Sequence, residues 1–337
     1  MSQQFERFLT SDNFILALRR LQTANRTQYK NLYYPDLRHF ALFEQENIDL
    51  TIHKIREGRY KAKPCSKFYI PKKKNLVRPI SVLHFIDLLV YQALINVIAD
   101  ELYDVFFPHH NRIIFGNIFR KSNDAEAKFF YVRWQDQWKK YSKQTIEYHN
   151  QGYIHFGDFD LASFFDTIDH SILCNILIDY GIENDLVNFL KTCLSKWTVA
   201  VNRKNYGASQ GIPQGPIASA FLADIYLLPI DKEITQNSKL DLKYFRYVDD
   251  IRILSKTEIE GQKAITFLDL ITRDFGLIPQ AEKIGIRKVD NIQRELNKID
   301  AKFSDISKEF TENNRTLKQA TQKQLKKHFL NCFEYTV

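Results

Sequence analysis

A chain of 337 residues with 44% apolar content is long enough to bury a substantial core, which excludes a disordered or fibrous class. Lys and Arg total 48 against 40 Asp and Glu, and the net charge of +8 is a mild bias towards a polyanionic partner. Cys65, Cys174, Cys193 and Cys332 are widely separated with no CxxC pair, and no apolar run reaches the roughly 18 residues of a membrane span, so a zinc framework, a disulfide scaffold and a membrane partner are excluded and a soluble, unprocessed cytoplasmic protein is expected.

Residues 1–57 read as helical, with Phe14, Leu18 and Leu21 on one face and Leu42, Ile48, Ile52 and Ile55 in a looser second pattern. From Gly58 to Phe85 the chain carries eight Lys or Arg and no Asp or Glu, and Pro64, Pro71 and Pro79 break it into short extended pieces. Such a stretch is a basic ribbon. Residues 87–102 return to helical spacing at Leu88, Tyr91, Leu94, Ile95 and Ile98, while 109–150 are polar and aromatic without a clear period.

From Tyr153 the pattern predicts a strand ending at Asp160, helices over 169–195, a β-ribbon over 197–206 and a helix over 217–235. A strand, turn and strand follow over 242–255, then a helix over 258–275, a break at Gly276-Leu277-Ile278-Pro279 and a short apolar segment over 284–289. The alternation implies a sheet covered by helices, an α+β class. The tail, 291–337, is helix-prone and polar, with Lys318, Lys323, Lys326 and Lys327 facing few acids. No repeat or low-complexity linker is visible.

Three acidic positions carry chemistry. Asp160 follows the strand YIHFGDF, and Asp249 and Asp250 sit in YVDD between LKYFR and IRILS. Singly, Asp160 reads as a helix cap and the pair as a hairpin turn. Together they read differently, because an Asp pair flanked by apolar strands repels unless a cation neutralises it. Two Mg²⁺ ions roughly 3.5 to 4 Å apart need carboxylates from at least two places in a fold, and one strand end plus one hairpin supplies them.

The segments GDFDLASFFDTIDH, QGIPQGPIASAFLADIYL and YFRYVDDIRIL resemble motifs A, B and C of the reverse transcriptases, in that family's order, and the resemblance spans roughly residues 65–290. It implies a right-hand polymerase, with an N-terminal helical region at 1–57, fingers at 58–150, a palm of antiparallel strands backed by helices at 151–290, and at 291–337 a helical thumb or the start of a C-terminal region. It makes Asp160 and Asp249 the principal ligands of two Mg²⁺ ions (Mn²⁺ as the alternative), with Asp250 and the Leu161 carbonyl assisting. Phe165 falls where the family sets a ring under the sugar C2′, so deoxynucleotides are expected, whereas Phe164 reads as core. Asp166 and Asp169 are expected to orient backbone.

Gly211-Ile212-Pro213-Gln214-Gly215 resembles the motif B loop, with Gln214 and Gly215 at the incoming nucleotide, although Ile217-Ala218-Ser219-Ala220 departs from the serine-proline pair usual there. IPKKKNLVRPI is similar to the fingers segment that grasps the triphosphate. Arg78 suits that role by its planar fork and Lys72 or Lys73 as a point charge, while the lysines, Lys74 among them, read equally as a surface for template phosphates. Lys283 resembles the motif D lysine that protonates pyrophosphate, and it also reads as a solvent-facing lysine after a helix. The phrase FGNIFRKSNDAEAKFF stands where the family touches template, with Arg120 and Lys121 as the contacts.

No protease, integrase, RNase H or HNH-like signature accompanies these motifs, and with the motif B departure and the FGN phrase the chain looks most like the bacterial abortive-infection and unclassified reverse transcriptases of phage defence, with retron and intron-type relatives as open alternatives. The partners implied are an RNA template, a DNA product, deoxynucleoside triphosphates, an associated RNA or protein, and as an open alternative a second copy of the chain. Three other readings stay open: template-independent or protein-primed DNA synthesis, an RNA polymerase, and a non-catalytic nucleic-acid-binding module.

Overall fold

The computed structural model describes residues 1–23, 27–71, 76–200, 207–237 and 241–296. The chain divides into two compact units, one of residues 1–67 and 81–287 and one whose described residues are 68–71, 76–80 and 288–296. Four N-terminal helices come first, α1 (Gln3–Phe8), α2 (Ser11–Thr23), α3 (Thr27–Leu42) and α4 (Glu44–Arg56), where the apolar spacing predicts them. The basic ribbon forms a two-stranded sheet, β1 (Ser66–Pro71) with β2 (Val77–Val82), because its prolines and missing acids leave it no helical option.

Helix α5 (Phe85–Phe106) is the axis of the first unit. It is buried without interruption from Leu88 to Ala99, as an all-round apolar helix must be, and α1, α2 and α3 pack on it. The stretch 109–150, which showed no clear period, holds α6 (Trp134–Asn150), whose burial is confined to Gln137, Tyr141 and Thr145; a helix with so narrow a buried stripe leaves little apolar signal. Next come β3 (His155–Phe159), the single turn α7 (Phe164–Thr167), α8 (His170–Asp179), α9 (Asn184–Trp197) and α10 (Ile217–Gln236). The expected ribbon over 197–206 lies mostly outside the described residues; Ala200 bridges Cys65. The chain continues through β4 (Leu242–Tyr247), β5 (Asp250–Ser255), α11 (Glu258–Asp274) and β6 (Gly285–Lys288).

The four-stranded sheet has the order β4-β5-β3-β6, with β5 antiparallel to both β4 and β3. Side chains alternate between its faces. Tyr244 and Arg246 of β4 turn towards α10, and Phe245 and Tyr247 turn towards α6, where Tyr141 lies 5.1 Å from Phe245 and Trp138 lies 5.5 Å from Tyr247, centroid to centroid. Helix α11 packs on the α10 side; a β-carbon at Gly157 would stand 2.7 Å from Ile286 Cδ1 of the neighbouring strand β6 and 3.3 Å from Ile265 Cδ1 of α11, so a larger residue there would have to push both side-chain ends aside. The architecture is the expected α+β class, an antiparallel sheet backed by helices. No helix among the described residues is long and apolar enough to cross a membrane, and Cys65, Cys174 and Cys193 are buried free thiols.

Candidate active site

The three aspartates meet at one end of the sheet. The β3–β5 register pairs Phe159 with Ile251, and one further step sets Asp160 across from Asp250. The β4–β5 register pairs Tyr247 with Asp250, so Val248 and Asp249 form a two-residue turn. Val248 has φ of 61°, a left-handed conformation that a β-branched residue rarely takes. A positive φ at the first turn residue alone is the pattern of a type II′ hairpin, which normally places glycine there.

Three contacts hold this strained turn. Arg246 Nη1 donates to the Val248 carbonyl at 2.9 Å. The segment before the FGN phrase extends the sheet past β4, with Arg246 N–H donating to the Ile113 carbonyl at 2.7 Å and Phe115 N–H to the Arg246 carbonyl at 3.1 Å. Gly116 then passes so close that a β-carbon on it would stand 2.6 Å from both Val248 Cγ2 and the Val248 nitrogen. Asn117, itself at φ 53°, donates to Asp224 at 2.9 Å.

Arg246 is fully buried and is the centre of an ionic network that sequence reasoning missed. Its guanidinium donates to Asp224 and, at 3.0 Å, to Asp231, and the Tyr244 hydroxyl donates to Asp231 at 2.5 Å. Burial pushes the Asp224 carboxyl up to about 6, against the pull of Arg246; burial works against the Arg246 charge, but Asp231 and Asp224 outweigh it and its pKa is raised. The available signal was the spacing: Asp224 and Asp231 lie seven residues apart, two turns along one face of a helix that is otherwise almost wholly apolar from Ile217 to Ile230.

Lys283 Nζ donates to Asp160 Oδ2 at 2.6 Å. The segment after α11 is laid along the strand end, with Ala162 N–H donating to the Ile278 carbonyl at 2.7 Å and Gln280 N–H to the Asp160 carbonyl at 2.9 Å; neither bond uses the Leu161 carbonyl. Asp250 reaches solvent at the sheet end, yet desolvation by its surroundings, followed by the like charges of Asp249 and Asp160, pushes its carboxyl up to about 6, with Lys283 pulling the other way. Three carboxylates thus share one field. Among the described residues no three metal-ligating side chains are set as a ready cage, and the Lys283 ammonium supplies the positive charge beside Asp160. All-oxygen, anionic donors that repel one another fit a hard divalent cation.

Around this centre, Phe164 is buried at 3% exposure, whereas Phe165 is only partly buried. Asp169 caps α8, accepting from the Ser171 and Ile172 N–H groups. The motif B loop is laced to the same turn: Gly211, at φ 88°, donates to the Ile168 carbonyl at 2.7 Å, and Ile212 N–H donates to the Phe165 carbonyl at 2.8 Å. The Gln214 carbonyl accepts from Ser81 N–H at 2.9 Å, and Gly215, at φ 139°, is buried before α10.

Arg78 is exposed on β2, in the second unit, and Lys72, Lys73 and Lys74 lie outside the described residues. Arg120, expected at the template, is instead engaged within its own loop: it donates to the Phe129 and Tyr131 carbonyls and pairs with Glu126 at 2.7 Å, which closes the segment 120–131 on itself. Lys121 sits 4.8 Å over the Tyr103 ring and 3.7 Å from Asp104. Asp158, not singled out in the sequence, pairs with Arg252 and Arg287 on β5 and β6.

Similarity to known proteins agrees with these motifs. A group II intron-encoded protein, LtrA of Lactococcus lactis, is 28% identical over 210 residues, covering 60% of this chain and 30% of that protein. A putative COX1/OXI3 intron 2 protein of Saccharomyces cerevisiae is 24% identical over 180 residues, covering 53% and 18%. The chain therefore spans less than a third of the length of these relatives. Among solved structures, a telomerase from Candida albicans in complex with a fragment of telomeric RNA has a TM-score of 0.48 at 12% identity, covering 69% of this chain and 44% of that one. The sequence profile of the reverse transcriptases matches residues 70–296, well over half of the chain, and the chain belongs to the reverse transcriptase (RNA-dependent DNA polymerase) family.

Proposed function

We propose that this chain adds deoxynucleotides to a primer 3′ end on an RNA template, at the sheet end where Asp160, Asp249 and Asp250 converge. The observation that supports this reading is the β3–β5 register, which sets Asp160 across from Asp250 with Asp249 in the adjoining turn. These side chains, with the Leu161 carbonyl, would hold two Mg²⁺ ions, or Mn²⁺ in their place. Such ions lower the pKa of an attacking hydroxyl and neutralise a departing pyrophosphate.

The chain's own groups do the rest. Lys283, already paired with Asp160 at 2.6 Å, would pass a proton to the leaving pyrophosphate. Phe165, half open beside the motif B loop, presents a ring that collides with a 2′-hydroxyl. Gln214 and Gly215 orient the nucleotide through a loop fixed to Ser81, and Arg78, with Lys72 or Lys73, neutralises the triphosphate. Lys74 and Lys121 remain the proposed contacts to nucleic acid.

Primer extension with each deoxynucleotide, with and without RNA template, tests the reading. Template-directed incorporation that requires a divalent cation and disappears in Asp249→Ala is the expected result. Incorporation that ignores template sequence would select template-independent synthesis, and full activity in Asp249→Ala would refute the site. A setting in phage defence rests on the motif B departure and the FGN phrase alone, whereas the relatives described above are intron proteins. Plaque counts on cells carrying the wild type or Asp249→Ala test it, and equal counts would remove it.

A further inference from the structure

A cavity of about 690 Å³ lies beside the catalytic hairpin, inside the first unit, and Tyr247 and Val248, the two residues before Asp249, form part of its wall. Phe129 and Trp134 also line it, at 37% and 61% exposure, large rings that neither the core nor the proposed chemistry uses. Its charge is positive: three arginines line it against one carboxylate, Glu126, which is already paired with Arg120. Arg133, exposed at the start of α6, has no carboxylate partner among the described residues.

Gln137 stands one turn along α6 from Trp134, on the same face. It is buried at 2% exposure, lines the cavity, and its Oε1 has no hydrogen-bond partner among the described residues. Buried amide oxygens are nearly always partnered, so this acceptor points to a donor that the described residues do not provide.

We infer that the cavity binds an unpaired nucleobase bearing an exocyclic amine. Its ring stacks on Trp134 or Phe129, its amine donates to Gln137, and its phosphate faces Arg133. Aromatic platforms beside cationic side chains suit bases on a phosphate backbone, and the volume is that of a small-ligand site. A purely apolar ligand would leave Gln137 Oε1 and the Arg133 guanidinium unanswered, whereas Arg20 and Arg120 are already engaged within the chain. A free nucleotide and an unpaired strand offer this same chemistry, and either occupant would lie against the turn that carries Asp249.

The test needs no polymerisation, so it stands or falls apart from the proposed activity. The full chain carrying Asp249→Ala, in EDTA, is titrated with adenosine monophosphate, thymidine monophosphate, a ten-nucleotide deoxyadenosine strand and its thymidine counterpart. Adenine ligands are expected to bind at least tenfold more tightly than thymine ligands. Trp134→Ala, a change at an exposed ring that leaves folding intact, should weaken binding tenfold or more, and Gln137→Leu should erase the preference for amine-bearing bases. Binding of the monophosphate identifies a nucleotide site, and binding of the strand alone identifies a site on a nucleic-acid path. No binding of any ligand, or binding that Trp134→Ala leaves unchanged, overturns the inference.

Discussion

Replacing Gly116 with alanine asks whether the turn that carries Asp249 is held by close backbone packing. The new methyl would meet Val248 Cγ2 and the Val248 nitrogen at 2.6 Å and the Tyr247 carbonyl carbon at 3.3 Å, where ordinary contact begins at 3.4 Å. A gap of about 0.8 Å must therefore open, the difference between those two distances. The Val248 nitrogen is backbone and cannot rotate aside, and Val248 already sits at φ 61°, so the displacement passes to the next residue, Asp249. A misplacement of about 1 Å at a reacting centre costs roughly 10²-fold in rate, and overpacking costs about 1–3 kcal/mol of stability. Single-nucleotide extension at saturating substrate, run beside a thermal melt, measures both. Gly207→Ala, with open space around its β-carbon, is the control. Gly116→Ala with more than half the wild-type rate and an unchanged Tm would refute the reasoning.

Three further outcomes follow from the same geometry. Arg246→Met strands two buried carboxylates and should destabilise the fold by about 3–5 kcal/mol, read by chemical denaturation; a loss under about 1 kcal/mol would show that the network is not ionic. Phe165→Ala should lower the preference for deoxynucleotides over ribonucleotides by about tenfold, or about 1.4 kcal/mol, in competition extension, and an unchanged ratio would move the sugar gate elsewhere. Lys283→Ala frees Asp160 while removing a proton donor, so the chemical step should slow by about 10²-fold while the Mg²⁺ concentration needed for half-maximal rate falls; a rise in that concentration would show that Lys283 does not compete for Asp160.

Much of the site was legible because its parts are local. Strand periodicity located β3 and the β4–β5 hairpin, the break at Gly276–Pro279 marked the end of α11, and the motif order joined Asp160 to Asp249 and Asp250 before any contact was known. What stayed hidden is long-range. Arg246 reads as an ordinary charged residue in a strand, and only the fold reveals that its side chain faces α10 rather than solvent. The FGN phrase was legible as a feature but not as a function: Gly116 and Asn117 are explained by the turn they press against and the aspartate they hold, which lie over a hundred residues away in the chain. Arg120 shows the converse, since a basic residue in a polar loop gives no local sign that nearby carbonyls also accept from it.

The charge distribution explains why the turn is built this way. Asp160, Asp249 and Asp250 repel one another, and desolvation first, then the like charges of Asp249 and Asp160, raise the Asp250 carboxyl. A turn free to relax would swing Asp249 away and ease the strain on Val248 in the same movement. Relaxation is opposed on each side: Arg246 grips the Val248 carbonyl from within a buried ionic network, Gly116 closes the space behind the turn, and Lys283 offsets charge at Asp160. The network is buried and the aspartates reach solvent, so added salt should screen the repulsion at the sheet end while leaving the anchor largely intact. If the proposed function holds, a site arranged this way would be prepared for its cations in advance, because the unfavourable geometry is maintained by Arg246 and Gly116, groups that carry no metal-ligating side chain.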